Sequence, residues 1–378
     1  MKYKKIKIVF MGTSEFGIPT LKLLNQEFNL KAVITNVDKR SGRGLNFKES
    51  EVKIFAKKNK IHFLQPENLK DPNFIEQICC LKPDFIIVIA FRMIPRIVWE
   101  IPRYGTINLH ASLLPNYRGA APINWVIINN ENKTGLTTFF IDENIDTGKI
   151  LLQKHISIDE KINAGELHEK LKLLGPNLVF ETIIGVYNDK IIPLNQDKDD
   201  NIKKAPKFDK KNTIIQWKKS VIQVYNKIRG LNPYPGARTT ISNNLYSKRV
   251  IIYDSEYVIQ NHDYKVGKFI INDSKIKVYC SDGFIIIKSL NYPEKVLIAW
   301  REAIGGNLEF RDFLMKSPYK ELGMFCYALL NERKSRKWLI DYQFAHLLAT
   351  IEGIEGKDSA LIWLKKNGFD IENYNMFK

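Results

Sequence analysis

Along the first 190 residues, short apolar runs alternate with segments whose apolar positions recur at helical spacing. Runs of buried-strand character stand at residues 6–11, 31–35, 61–64, 84–90 and 105–110, and residues 16–24, 51–58 and 73–80 read as helices. Such alternation predicts a parallel sheet with crossover helices, an α/β domain built on a Rossmann-like, open, mostly parallel sheet. A helix near 121–128, extended runs at 134–141 and 149–156 and a longer helix at 164–184 complete it.

The pattern then changes. Residues 188–211 turn polar, with Asp197, Asp199, Asp200, Lys203 and Lys204 among asparagines, the composition of an exposed linker. A helical stretch at 219–228 is followed by five short strand-like runs (239–241, 248–252, 268–271, 275–279, 283–289) separated by turn residues. That spacing fits a small closed β-barrel of OB-like type. From about Pro318 helical periodicity returns, at 321–330, 337–350 and 359–366, and no internal repeat is read. The expected organisation is a first domain over 1–190, a linker over 191–211, a barrel over 212–316 and a helical extension over 317–378.

Composition narrows the class. Of 378 residues 44% are hydrophobic and 26% charged, enough apolar material for a core and too much for disorder. The longest apolar run, Phe85-Ile-Ile-Val-Ile-Ala-Phe91, falls far short of the ~20 residues of a membrane span, so no membrane association is expected. The lysines before Ile8 precede too short an apolar stretch for an export signal. Cys79, Cys80, Cys280 and Cys326 form neither a disulfide framework nor a CxxC pair, and the histidines show no ligand spacing, so a reducing cytoplasm and no metal are expected. The net charge is +17, and residues 207–316 carry nineteen basic against ten acidic side chains. An excess concentrated in one domain points to a polyanionic partner, although lysines that merely solvate a surface give the same count.

Candidate chemistry sits in the first domain. Gly12-Thr-Ser-Glu-Phe-Gly17 follows the first strand but lacks both the GxGxxG spacing and a GK[ST] ending, so it reads as a turn and helix cap rather than a phosphate loop. Asn108 and His110 are two apart near the C-terminal end of a strand and therefore face one side. Ligands of open α/β sheets bind outside those strand ends, and an amide beside an imidazole suits acyl transfer; the pair could equally tie down a loop. Asp142, Glu143 and Asp146 lie on a loop ending at Gly148, and a carboxylate there could orient His110.

The string Asn108-Leu-His-Ala-Ser-Leu-Leu-Pro-Asn-Tyr-Arg-Gly-Ala-Ala-Pro122, with Ile145-Asp-Thr-Gly148 further on, resembles the hallmark of the folate-dependent formyltransferases. Val9-Phe-Met-Gly-Thr13, Ser41-Gly-Arg-Gly44, Leu64-Gln-Pro-Glu67 and Ile228-Arg-Gly-Leu-Asn-Pro-Tyr-Pro-Gly-Ala237 narrow it to the branch that acts on methionyl-tRNA. The resemblance covers roughly residues 5–300. It implies transfer of a formyl group from 10-formyltetrahydrofolate to the α-amine of initiator methionyl-tRNA, by a monomer, with no metal. It carries Asn108, His110 and Asp146 over as the catalytic set. Ser112, Leu113, Leu114 and Pro115 would line the folate site, with the pterin near the loops that hold Ala90, Arg92, Ile141 and Asp142. Arg40 and Arg43, in a loop over 36–48, would meet the tRNA. Phe91-Arg92 departs from the usual Tyr-Gly, and beyond about residue 305 the family pattern fades. A sugar-nucleotide N-formyltransferase, sharing the folate chemistry, is the nearest rival, and an RNA-binding module without activity is the rival of another class.

Overall fold

A computed structural model of the chain describes residues 3–40, 47–196, 201–242, 247–272, 275–291, 294–317, 319–342 and 344–366. It divides into two compact units, Met1–Asp209 with Arg229–Tyr234, and Lys210–Ile228 with Pro235–Lys378.

In the first unit the chain runs β1 (Lys7–Gly12), α1 (Ile18–Glu27), β2 (Asn29–Ile34), the short pair β3 (Lys39–Arg40) and β4 (Phe47–Lys48), α2 (Glu51–Lys58) and β5 (Phe63–Leu64). It continues through α3 (Pro72–Leu81), β6 (Phe85–Ile89), α4 (Arg96–Trp99), β7 (Thr106–His110), α5 (Pro122–Ile128), β8 (Lys133–Phe140), β9 (Ile150–Ser157) and α6 (Ala164–Tyr187). Seven strands form one sheet in the order β5-β2-β1-β6-β7-β8-β9. The pairs from β5 to β7 are parallel, whereas β7–β8 and β8–β9 are antiparallel. The mostly parallel sheet read from the alternation is therefore present.

Both faces of the sheet are covered, which is why the central strands read as continuous apolar runs rather than alternating ones. Ile8 and Phe10 of β1 join Leu21 and Leu24 of α1 and Leu167, Leu171 and Val179 of α6 in one core. Val9 and Met11 join Phe74 and Ile78 of α3 and Val98 of α4 in the other. α6 starts at a reciprocal cap, Asn163 accepting from the Glu166 N–H while the Glu166 carboxylate accepts from the Asn163 N–H. The order reverses between β1 and β6: β2 lies on one side of β1, β6 and β7 on the other. A crevice is expected beyond the C-terminal ends of those strands.

The second unit starts with α7 (Val221–Leu231), whose last turn belongs to the first unit. β10 (Ala237–Ser242), β11 (Ser247–Ile259), β12 (Phe269–Asn272), β13 (Lys275–Tyr279) and β14 (Gly283–Asn291) then make an antiparallel sheet in the order β10-β11-β14-β13-β12. Irregular register beside Asp254 marks the bulges that bend β11 and let so small a sheet curl. Among the described residues no ladder joins β12 to β10.

Among the described residues the last strand ends at Asn291, and within the stretch read as the barrel domain residues 294–304 and 308–316 are helical. Among the described residues six helices follow: α8 (Glu294–Ile304), α9 (Leu308–Lys316), α10 (Lys320–Leu329), α11 (Arg333–Asp341), α12 (Ala345–Ile354) and α13 (Asp358–Lys366). The single helix expected over 337–350 is broken in two, with the Trp338 ring stacked on Tyr342 and Phe344 at the break. These helices are also an internal repeat that the sequence reading missed. Each hairpin turns at a left-handed residue, Gly306, Asn331 and Gly356, spaced 25 apart. The next N–H, of Asn307, Glu332 and Lys357, reaches back to the carbonyl of Glu302, Tyr327 and Glu352. Leu314, Leu339 and Leu364 are fully buried at the same place in each second helix. Few positions are identical between the copies, and hydrophobic periodicity alone does not separate a repeat from a run of short amphipathic helices. The repeats build their own cores, and Tyr319 donates its hydroxyl to the Arg249 carbonyl on β11.

Candidate active site

The first unit holds a cavity of about 650 Å³ at the strand ends, inside the roughly 300–1,000 Å³ range of small-molecule sites. Its walls come from the end of β6 (Val88, Ala90 and the following Phe91–Ile94), from β7 (Asn108–His110), from residues 119–124 at the start of α5, and from residues 141–146 after β8. Val88, Ile94, Leu109, Phe139 and Ile141 make it largely apolar, with few polar groups aimed inward.

Asn108, His110 and Asp146 all line this cavity. The strand pleat turns Asn108 and His110 to one side, and β8 pairs alongside with Phe139 opposite Asn108 and Thr137 opposite His110. His110 is 7% exposed. Its Nε2 lies 2.9 Å from the Tyr117 carbonyl, and since a carbonyl oxygen can only accept, Nε2 carries the hydrogen. The remaining ring nitrogen, Nδ1, faces the Asp146 carboxylate at 3.7 Å, too far for a hydrogen bond. The pair attracts electrostatically when the ring is charged. Asp146 is itself held: the Gly119 N–H donates to its Oδ2 at 2.9 Å, and the Gln196 amide donates to its carbonyl at 3.0 Å. Its backbone is left-handed, at φ 56°, which a short acidic side chain tolerates. Two residues on, a Cβ at Gly148 would sit 1.7 Å from the Phe140 carbonyl oxygen, so only glycine lets this loop close against β8.

Ala90, Arg92, Ile141 and Asp142 also border the cavity. Arg92 spends its guanidinium on the carbonyls of Pro66 and Glu67, and its Nε is buried without a partner. Asp142 accepts from the Asn144 N–H and the Thr147 hydroxyl, folding the loop that presents Asp146.

Ser112, Leu113, Leu114 and Pro115 are not among the residues that line this cavity. Ser112 is fully buried and donates to the Asn116 carbonyl, while Leu114 exchanges hydrogen bonds with Thr137 and Gln153. These contacts, from side chains of β8 and β9, fix the backbone at Leu114. Arg40 ends β3, and Arg43 lies outside the described residues.

Ser14, Phe16, Asn124 and His168 line the cavity without having been singled out. Phe16 and His168 meet edge to face at 5.0 Å; helix periodicity gave His168 no distinguishing mark. Glu15, His168 and Glu169 bring potential metal-ligand atoms within 4.8 Å, but Lys172 already pairs with both carboxylates, at 3.9 and 3.0 Å.

Two stretches match family models, residues 4–183 the formyl transferase domain and residues 207–307 the formyl transferase C-terminal domain. The methionyl-tRNA formyltransferase of Flavobacterium johnsoniae is 44% identical over 304 residues, 80% of this chain and 96% of that protein. That of Clostridium novyi is 42% identical over 306 residues, covering 80% and 97%. Among solved structures, the Helicobacter canadensis N-formyltransferase complexed with folinic acid and dTDP-3-aminofucose is 21% identical, with a TM-score of 0.55 over 76% of this chain and all of that one, a likeness of fold. Among the described residues, no helix is long and apolar enough to cross a membrane. With both domains matched and relatives of that name aligned nearly end to end, the chain belongs to the methionyl-tRNA formyltransferase family.

Proposed function

We propose that this chain transfers the formyl group of 10-formyltetrahydrofolate to the α-amine of initiator methionyl-tRNA, as a cytoplasmic monomer. The observation that carries the chemistry is the convergence of Asn108, His110 and Asp146 on one apolar cavity. Family membership supports the acceptor. A donor with a flat heterocyclic head suits the walls, and the partnerless Arg92 Nε is a free donor for one of its oxygens or for a carboxylate.

In this reading the amine nitrogen attacks the formyl carbon, the carbonyl oxygen takes negative charge, and the bond to N10 of the folate breaks as N10 gains a proton. Asn108 donates to the developing oxyanion. His110 accepts a proton at Nδ1, since Nε2–H is committed to Tyr117, and the charged ring is then stabilised by Asp146. The first unit supplies this chemistry. The curled sheet over 237–291, within the basic stretch, supplies the tRNA platform, joined by Arg40 and Arg43 on the loop over 36–48.

The test is to incubate the purified protein with 10-formyltetrahydrofolate and either charged initiator tRNA or dTDP-linked amino sugars. Formylation of the tRNA alone is expected; formylation of an amino sugar without the tRNA would overturn the assignment.

A further inference from the structure

The loop that follows β7 carries two of the contacts that fix the proposed catalytic groups, yet it belongs to no strand of the sheet. We propose that residues 203–205, in the polar segment after the first domain's last helix, act as a positioning element for His110 and Asp146. This rests on the function proposed above and goes beyond it.

The loop's peptide groups are held by that segment. The Tyr117 N–H donates to the Lys203 carbonyl, the Ala205 N–H to the Arg118 carbonyl at 2.8 Å, and the Ala121 N–H to the Ala205 carbonyl at 3.1 Å. Arg118 and Lys204 pair as a parallel bridge, and the Lys203 N–H donates to the Asn116 side chain at 3.0 Å. The peptide groups left over point the other way. The Tyr117 carbonyl takes His110 Nε2–H, and the Gly119 N–H goes to Asp146 Oδ2. Asp146 is thus bonded to the Arg118–Gly119 peptide group that Ala205 holds from the other side, and His110 to the carbonyl of Tyr117, whose N–H is held by Lys203.

The approach is close enough to exclude side chains. Gly119 has φ 122°, and a Cβ there would lie 2.6 Å from the Ala205 carbonyl oxygen. Ala205 is fully buried, which a solvated tether has no reason to be. A second lock lies alongside: the Tyr117 hydroxyl and the Lys203 ammonium both donate to Glu131, and Asn129 donates to the same hydroxyl at 3.2 Å. Burial, with the Glu131 carboxylate beside it, holds the Tyr117 hydroxyl in its protonated, donating form. Lys203 and Glu131 are absent from the cavity wall, so they reach the chemistry only through this loop.

The test uses the full chain, in single-turnover and steady-state formylation of methionyl-tRNA, with wild type as the reference. A wild type that formylates no tRNA refutes the assigned function, independently of the variants. One glycine inserted between Lys204 and Ala205 puts the clamp out of step and should slow the single-turnover rate about 10²-fold, the scale of a ~1 Å misplacement. KM for either substrate should stay near wild type. The same insertion between Asp209 and Lys210, past the clamp, should leave the rate as it was. Glu131→Gln and Lys203→Met should each slow the step up to about tenfold without lowering Tm, and Lys203→Arg should restore it. A folded inner-insertion variant that turns over at the wild-type rate overturns the proposal. If that variant does not fold, an unchanged kcat in both Glu131→Gln and Lys203→Met overturns it instead.

Discussion

At the scale of single residues, the site rests on small distances. Asn108 offers an amide at the strand end, and under the proposed reaction Asn108→Ala should slow the chemical step by about 10²–10³, the usual loss of one oxyanion donor. Single-turnover rates within about threefold of wild type would assign the donor elsewhere. Asp146→Asn keeps an acceptor for the Gly119 N–H but removes the charge that faces Nδ1 across 3.7 Å. It should cost as much or more, with a changed pH–rate profile; an unchanged profile would uncouple the two groups. Strand period explains why Asn108 and His110 were legible as a pair, because residues two apart share a face. In Ser112-Leu-Leu-Pro115 the Leu114 N–H donates to Thr137 and the Leu114 carbonyl accepts from Gln153, contacts made only after folding and not encoded by spacing. Phe16 and His168 were illegible for the same reason: they lie far apart in the chain and meet only after folding.

At the scale of elements, the central strands were readable because burial on both faces leaves a run of apolar residues bounded by turns. The helical region was read less well. Its elements are short, and the break near Tyr342 is made by contacts among Trp338, Tyr342 and Phe344, which periodicity does not encode. One ion pair there gives a measurable handle. Arg336 on α11 binds Glu355, just past α12, and donates its Nε–H to the Ala328 carbonyl. The guanidinium holds the Glu355 carboxyl below its ordinary value of 4.5. A lowered carboxyl contributes stability that is complete above that ordinary value and is lost as pH falls through the lowered one. Glu355→Gln should therefore melt earlier than wild type at neutral pH, with the gap closing in acid below about 4.5. The gap should be modest and shrink with salt, since Glu355 is 38% exposed. A gap that persists unchanged in strong acid would mean the glutamine disturbs packing rather than charge.

At the scale of the whole molecule, the family match ends at residue 307, inside the first of three helical hairpins, while the aligned relatives are covered almost whole. α8 falls within the shared part, yet its apolar face is closed by α9 and α10, beyond the match: Val296, Ala299 and Ala303 share a core with Leu314, Tyr319, Leu322 and Cys326. Removing residues 318–378 strips three members from that core. The truncated protein should melt earlier and aggregate more readily, while each folded molecule keeps its formylation rate, because among the described residues none that lines the cavity lies beyond His168. A solenoid of like units permits a sharper comparison, since each unit contacts its neighbours through equivalent surfaces. Deleting residues 320–344 removes one whole period and rejoins Tyr319 to Ala345, the successor of its counterpart Phe344. That variant should fold and melt above one lacking 332–344, which leaves α10 without its hairpin partner. Equal melting of the two would show that the 25-residue spacing carries no structural equivalence, and a folded protein without residues 318–378 that fails to formylate would place the helical repeats in the reaction itself.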